Sequence, residues 1–112
     1  MRAAPNDAPR YANLARALAR LGEKDGAIAQ AKHATELLPE SVDAFAGPEM
    51  TGALAEVYAV TGENADAIEL LDGLLSRPSS VTVAFLRIDP AMDQLRNDRR
   101  FQKLLQKYGG II

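Results

Sequence analysis

The residues best suited to chemistry lie near the C-terminal end of the chain, in the segment RIDPAMDQLRNDRRF. Its acids and one amide, which could serve as metal ligands or catalytic groups, are Asp89, Asp93, Asn97 and Asp98. A calcium loop, however, needs acids at alternate positions, a central glycine and a final glutamate. This segment has a proline directly after Asp89 and contains no glycine. Because such side chains also cap helix N-termini, we predict caps and exposed ion pairs, with no metal site and no catalytic residue.

Other residue types offer little more for catalysis or metal binding. The chain has no cysteine and a single histidine, His33, which excludes thiolate sites and zinc sites with several histidines from this chain. His33 lies off the apolar stripe of its predicted helix, so we expect a solvated side chain. The glycines lack the spacing of a phosphate-binding loop. The sequence therefore predicts a protein that is not an enzyme and uses no cofactor.

Charge is distributed unevenly, although the formal net charge is only −2. Residues 41–80 contain seven acidic residues and one basic residue. The end of the chain has a basic face formed by Arg96, Arg99, Arg100, Lys103 and Lys107. No exposed aromatic residue is interleaved with these cations, so we expect a solvated face and no nucleic-acid binding. The apolar runs are too short to span a membrane, and no signal peptide is evident. We expect a cytoplasmic protein that does not bind membranes.

Two stretches of the chain are similar to each other. LARALARLGEKDGAI, residues 14–28, aligns with LAEVYAVTGENADAI, residues 54–68, at an offset of 40, and seven of the fifteen positions are identical. The identical residues of the first stretch are Leu14, Ala15, Ala19, Gly22, Glu23, Ala27 and Ile28. Since apolar, small and glycine positions all recur together, we infer a duplicated unit.

Each copy predicts a helical hairpin. In the first copy, Asp7 is the expected cap of a helix that has Pro9 in its first turn. The apolar stripe expected to face inward is Tyr11, Leu14, Leu18 and Leu21. Gly22 ends this helix, because glycine adopts left-handed backbone angles without strain. The second helix is capped by Asp25 and stopped by Pro39, and its expected inward residues are Ala27, Ile28, Ala31, Ala34 and Leu38.

The second copy repeats this plan. Pro48 opens its first helix and Gly62 closes it. Asn64 is the expected cap of the partner helix, which stops at Pro78. The residues expected to face inward are Leu54, Val57, Tyr58, Ala67, Ile68, Leu71, Leu74 and Leu75.

The two hairpins resemble the tetratricopeptide repeat (TPR) family. That family places a large aromatic, Leu-Gly and Tyr in its first helix, then Ala, an aromatic, Ala and Pro in its second. The corresponding residues of the first copy are Tyr11, Leu14, Ala15, Leu18, Ala27, Ala31, Ala34 and Pro39. Those of the second copy are Thr51, Leu54, Ala55, Tyr58, Ala67, Leu71 and Leu74. Thr51 and Ala31 replace aromatics, which departs from the family pattern. The resemblance spans residues 8–78 and implies stacked helical hairpins.

The offset of 40 residues exceeds the TPR unit of about 34. The extra residues fall in the segment ESVDAFAGPEM, between the hairpins. Ser41 is expected to cap a short turn there that carries Val42 and Phe45, with Phe45 filling the gap between the repeats. Gly47-Pro48 then changes the chain direction. We interpret this segment as a longer linker rather than a functional loop.

The residues after the second copy do not form a third one. Val81, Val83 and Phe85 alternate as in a strand, but we favour a short helix capped by Ser80 and running through Leu86, because a lone strand has no pairing partner.

Two further helices are predicted beyond this linker. Asp89-Pro90 begins the first, and Asn97 or Asp98 caps the second. The apolar stripe of the second is Phe101, Leu104, Leu105 and Tyr108. The pattern Asp-Pro, Leu-Arg and Arg-Phe-x-x-Leu-Leu resembles the tail that follows degenerate TPRs in many bacterial signalling and regulatory proteins.

We therefore predict one all-α domain over residues 1–112, made of TPR-like helical hairpin repeats with C-terminal capping helices. Its predicted parts are repeat 1 (8–39), an insert (40–47), repeat 2 (48–78), a linker (79–88), capping helices (89–108) and a tail (109–112).

The resemblance also implies a function. In TPR proteins the first helix of each hairpin lines a concave face that binds extended or helical peptides. The residues expected on that face are Ala12, Asn13, Arg16, Ala19, Arg20, Glu49, Gly52, Ala53, Glu56, Ala59 and Val60. We predict a non-catalytic scaffold or interaction module that binds a protein or peptide. The alternative is a C-terminal regulatory or self-associating domain of a larger bacterial signalling or transcription protein, including a homodimer.

Overall fold

The computed structural model describes residues 7–44, 46–77 and 81–109, and this part of the chain is all-helical, without a strand. Its elements in chain order are α1 (Ala8–Arg20), α2 (Lys24–Leu37), α3 (Gly47–Val60), α4 (Asn64–Leu75), α5 (Val83–Ile88), a 3₁₀ helix (Pro90–Leu95) and α6 (Arg99–Gly109). α1 packs against α2 as the first helix pair, and α3 packs against α4 as the second. None of the helices in the described ranges combines the length and apolarity needed to cross a membrane.

The two helix pairs have the same turn. Gly22 and Gly62 have φ values of +83° and +88°, and no other described residue has a positive φ. In each turn the following glutamate donates its backbone N–H to a carbonyl five residues earlier, Glu23 to Leu18 at 2.9 Å and Glu63 to Tyr58 at 2.8 Å. This is the bonding of a Schellman helix end, which requires the left-handed residue. The predicted glycine turns are confirmed.

Three of the predicted N-caps are present. The side chain of Asp7 accepts the backbone N–H of Arg10 at the start of α1, and that of Asp89 accepts the N–H of Ala91 in the 3₁₀ helix. Of the two candidates for α6, the structure uses Asp98, whose Oδ1 lies 2.8 Å from the backbone nitrogen of Arg100.

The predicted caps Asp25 and Asn64 are wrong. Both residues lie inside their helices, and Glu23 and Glu63 occupy the cap positions without a side-chain hydrogen bond. The glycine turns explain this difference. In each Schellman turn the last hydrogen-bonded residue, Glu23 or Glu63, directly precedes the first residue of the next helix. The turn therefore sets the start of that helix without a side-chain cap.

Helix α1 buries a different face from the predicted one. Its buried residues are Ala8, Ala12, Ala15 and Ala19. Leu14 is 45% exposed and Leu21 is 77% exposed. α1 packs against both α2 and α3, and alanine has the least bulk of the side chains available to fill so close a helix contact. The alanine face is therefore the one inside. Leu14 and Leu21 face outward, whereas Tyr11 and Leu18 of the predicted stripe are half-buried against the core.

The C-terminal segment covers the second helix pair. Ala55, Ala59, Ala67 and Leu71 of that pair share one buried cluster with residues that follow it, namely Leu86, Met92, Leu95, Phe101 and Leu104. Phe101 is only 1% exposed. Tyr108 reinforces the contact, since its hydroxyl donates to Asp72 Oδ1 of α4 at 2.5 Å. This hydrogen bond lowers the pKa of Asp72 below its ordinary value.

The insert between the pairs is held by an ion pair. Glu40 accepts two hydrogen bonds from the Arg77 guanidinium, at 2.6 and 2.7 Å, and one from the Thr51 hydroxyl at 2.8 Å. A Cβ atom on Gly47 would approach Glu40 Cα to 2.6 Å, so only glycine allows this contact. Residues 40–42 form turns, and Val42 is exposed.

Three sequence predictions fall on positions outside the described residues. These concern Phe45 as a filler between the repeats, Pro78 as a helix stop, and Ser80 as a cap. The short helix α5 runs from Val83 to Ile88, two residues beyond the predicted end, and its cap is Thr82, whose hydroxyl accepts the N–H of Phe85 at 3.1 Å.

Candidate partner-binding groove

An open groove of about 310 Å³ lies where α1, α3 and the segment leading into α5 meet. The residues that line it are Arg16, Glu49, Glu56, Val81 and Phe85. The first three were predicted for the concave face. Val81 and Phe85 were not, because the sequence placed them in a linker.

The charged wall of the groove is organised around Glu56. One oxygen of this carboxylate lies 3.3 Å from Arg16 Nε and the other lies 3.7 Å from Arg20 Nη2. Arg16 also donates from Nη1 to Asn13 Oδ1 at 3.2 Å. Arg16 and Glu56 occupy equivalent positions of the two sequence copies, 40 residues apart. α1 and α3 thus carry opposite charges at equivalent positions of the two copies, and the resulting ion pair links the two helices.

The opposite wall is apolar. Phe85 is 51% exposed, an unusual position for an aromatic side chain. Val81 lies against α3 at Gly52, since a Cβ atom built on Gly52 would be 3.7 Å from Val81 Cγ2. A residue larger than glycine at position 52 would therefore fill space between α3 and Val81. The groove therefore combines a half-exposed aromatic wall with paired charges.

Several residues predicted for this surface lie elsewhere. Ala12, Ala19, Ala53 and Ala59 are buried between the helices, so they present no surface to a ligand. The same close helix packing that exposes the leucines of α1 buries these alanines. Val60 is half-buried, and its carbonyl accepts a hydrogen bond from the Gln94 side chain at 3.1 Å. Asn13, Arg20 and Glu49 are exposed.

The acids of the C-terminal segment have structural partners. Asp98 binds the Arg100 guanidinium, with Oδ2 at 2.9 Å from Nη2, and its Oδ1 also accepts the Arg100 backbone N–H. These hydrogen bonds, the side-chain one foremost, lower the pKa of Asp98 to about 2. Over residues 7–44, 46–77 and 81–109, no group of three or more histidines and acids is placed to hold a metal ion.

Arg96 has a role that the sequence did not indicate. Its guanidinium donates to the carbonyl oxygens of Arg87 and Asp89, each at 2.7 Å, and lies 3.1 Å from Asp93 Oδ1. It thereby joins the end of α5 to the 3₁₀ helix. The predicted basic face is consequently interrupted, since Arg96 turns toward the backbone and Lys107 pairs with Asp72 at 3.3 Å.

His33 is less solvated than predicted. Its ring packs edge-on against Tyr11, with centroids 4.6 Å apart and an interplanar angle of 89°. Nδ1 lies 3.7 Å from Glu36 Oε1 at a side-chain exposure of 45%. The ring therefore helps to fill the contact between α1 and α2, and only part of it meets solvent.

Comparison with known proteins provides no identification. No model of a protein family matches the chain, and neither the curated proteins nor the solved structures contain a match.

Proposed function

We propose that this chain is a non-catalytic, TPR-like interaction module that binds a segment of a partner protein in the groove between α1, α3 and α5. The observation that carries the proposal is Phe85, a half-exposed aromatic beside the Arg16–Glu56 ion pair. Aromatic side chains are typical anchors in protein interfaces. The volume of about 310 Å³ is at the lower end for ligand sites, which suits a short segment.

The groove favours a particular chemistry in its partner. Val81 and Phe85 offer surface for an apolar side chain. Glu49 is exposed and forms no salt bridge with a described residue, so it is available to a cation. Glu56 is already shared by two arginines. We infer that the preferred segment carries an apolar anchor next to a lysine or arginine.

A selection from a random peptide library, followed by measured Kd values, tests this proposal. We expect Phe85→Ala to weaken the selected peptides by about tenfold or more, as for an aromatic anchor. Ile88→Ala is the matched control, because Ile88 lies on the same short helix, is 76% exposed and does not line the groove.

A charge exchange gives a second variant for the same measurement. Arg16→Glu combined with Glu56→Lys keeps opposite charges at the two paired positions, yet reverses what the groove presents. We expect this double variant to fold and to lose the selected peptides. Binding that survives both it and Phe85→Ala would contradict the proposal.

A further inference from the structure

The groove between α1, α3 and α5 has a defined order of residues along its length. Glu49, Gly52 and Glu56 follow the spacing i, i+3, i+7 and lie on one side of α3. Glu49 is therefore about two helical turns, roughly 10 Å, from Glu56 along the helix axis. Gly52 lies between them, at the point where Val81 approaches α3. The groove thus has a charged residue at each end and an apolar middle.

The Glu49 end of the groove carries a negative charge without a partner. Glu49 is exposed, and its side chain forms no hydrogen bond or salt bridge with a described residue. Its position in the first turn of α3 places it two turns away from the arginines that share Glu56. This carboxylate is therefore available to a cation of the partner.

The opposite end carries a guanidinium whose donors are unused. Arg16 already donates to Glu56 and to Asn13, at 3.3 and 3.2 Å. Arg20, by contrast, lies 3.7 Å from the nearer Glu56 oxygen, and 61% of its side chain is exposed. That distance is too long for a hydrogen bond, and the Arg20 side chain forms none with a described residue. Arg20 is therefore available to a carboxylate of the partner.

The distance between the two ends limits the length of the partner segment. An extended chain rises about 3.3 Å per residue, so roughly 10 Å of groove corresponds to about three or four residues. A segment of that length has room for one or two apolar residues between its charges. Val81 and Phe85 line the groove and provide the apolar surface that such residues require.

We propose that the groove selects an extended segment with two opposite charges, a lysine or arginine at the Glu49 end and an aspartate or glutamate at the Arg20 end. The two charges are about three or four residues apart, with the apolar anchor between them. This inference rests on the proposed function, to which it adds the acid and the spacing. Arg20 reads the acid, because a guanidinium forms charge-assisted hydrogen bonds with a carboxylate. A segment with cations alone would place one of them against Arg16 and Arg20, which is unfavourable.

A double-mutant cycle on the peptides selected from the random library tests the acid. The acid of the peptide is replaced by its amide, and the protein carries Arg20→Gln. Each change alone should raise the Kd by about fivefold, as for a well-placed exposed ion pair, and both together should raise it no further. Lys32→Gln is the matched control, because Lys32 is an exposed cation on α2 that does not line the groove. It should change the Kd by less than about twofold.

The same cycle applies to the other end of the groove. Replacing the peptide cation by glutamine and introducing Glu49→Gln should each weaken binding, without a further loss when both are combined. A peptide in which the acid is moved directly beside the cation tests the spacing. Its acid no longer reaches Arg20, so Arg20→Gln should leave the Kd of this peptide unchanged.

The outcomes separate this inference from the proposed function. Selected peptides that depend on Phe85 but carry no acid would overturn the inference and leave the proposed function intact. The same holds if the peptide acid contributes equally in the wild type and in Arg20→Gln. A library that yields no peptide dependent on Phe85 would overturn both.

Discussion

Asp98 is the side-chain cap at the start of α6. Its carboxylate accepts both a backbone N–H and the guanidinium of Arg100, and its pKa is lowered to about 2 from 3.8. Because the pKa of Asp98 is lower in the folded than in the unfolded chain, its ionised carboxylate stabilises the folded state. Its stabilising effect is complete above pH 4 and is lost as the pH falls toward 2.

Comparing Asp98→Ala with the wild type tests this linkage. We expect the variant to have a lower Tm at pH 7 and the difference to shrink as the pH falls from 4 to 2. Thermal unfolding followed by circular dichroism is the measurement. Asp93→Asn is the control, since the Asp93 side chain is 69% exposed and its ion pair with Arg96 lies at the surface, and it should leave the Tm nearly unchanged at pH 7. An equal effect of both substitutions would contradict the assigned role of Asp98.

Helix α6 depends on one large side chain. Phe101 is buried in the cluster that joins α6 to the second helix pair. We expect Phe101→Ala to lower the free energy of unfolding by about 3–5 kcal/mol, the usual cost of truncating a buried phenylalanine. Urea unfolding measures this change. Lys103→Ala, on the exposed side of the same helix, should stay within about 0.5 kcal/mol of the wild type.

The sequence predicted the helices better than their faces. Glycines and prolines mark helix ends locally, so Gly22, Gly62 and Asp89-Pro90 were assigned correctly. Which face of α1 is buried depends instead on how close α2 and α3 come, and periodicity alone favoured the larger leucines. The groove was predictable only where it belongs to the duplicated unit, as at Arg16 and Glu56. Val81 and Phe85 come from outside that unit.

At the scale of the whole molecule, the two sequence copies lie in unequal surroundings. Leu54 and Leu14 are equivalent in sequence, but one lies inside the molecule and the other at its edge. We expect Leu54→Ala to lower the free energy of unfolding by about 2–5 kcal/mol and Leu14→Ala by less than about 1 kcal/mol. Urea unfolding at low micromolar concentration checks both. Equal losses would show that the first copy is also covered.

The cluster around Phe101 affects where the chain could be lengthened. The alanine surface of the first helix pair is covered by α3, and the corresponding surface of the second pair is covered by the unrelated sequence of the C-terminal segment. That segment contacts Ala67 and Leu71, the residues equivalent to Ala27 and Ala31, which pack against α3 in the first pair. We therefore expect an added helix pair to be tolerated better between α2 and α3, where it would have a helix pair on either side. Appended after α4, it would have to displace the C-terminal segment from the buried cluster that it forms with α3 and α4.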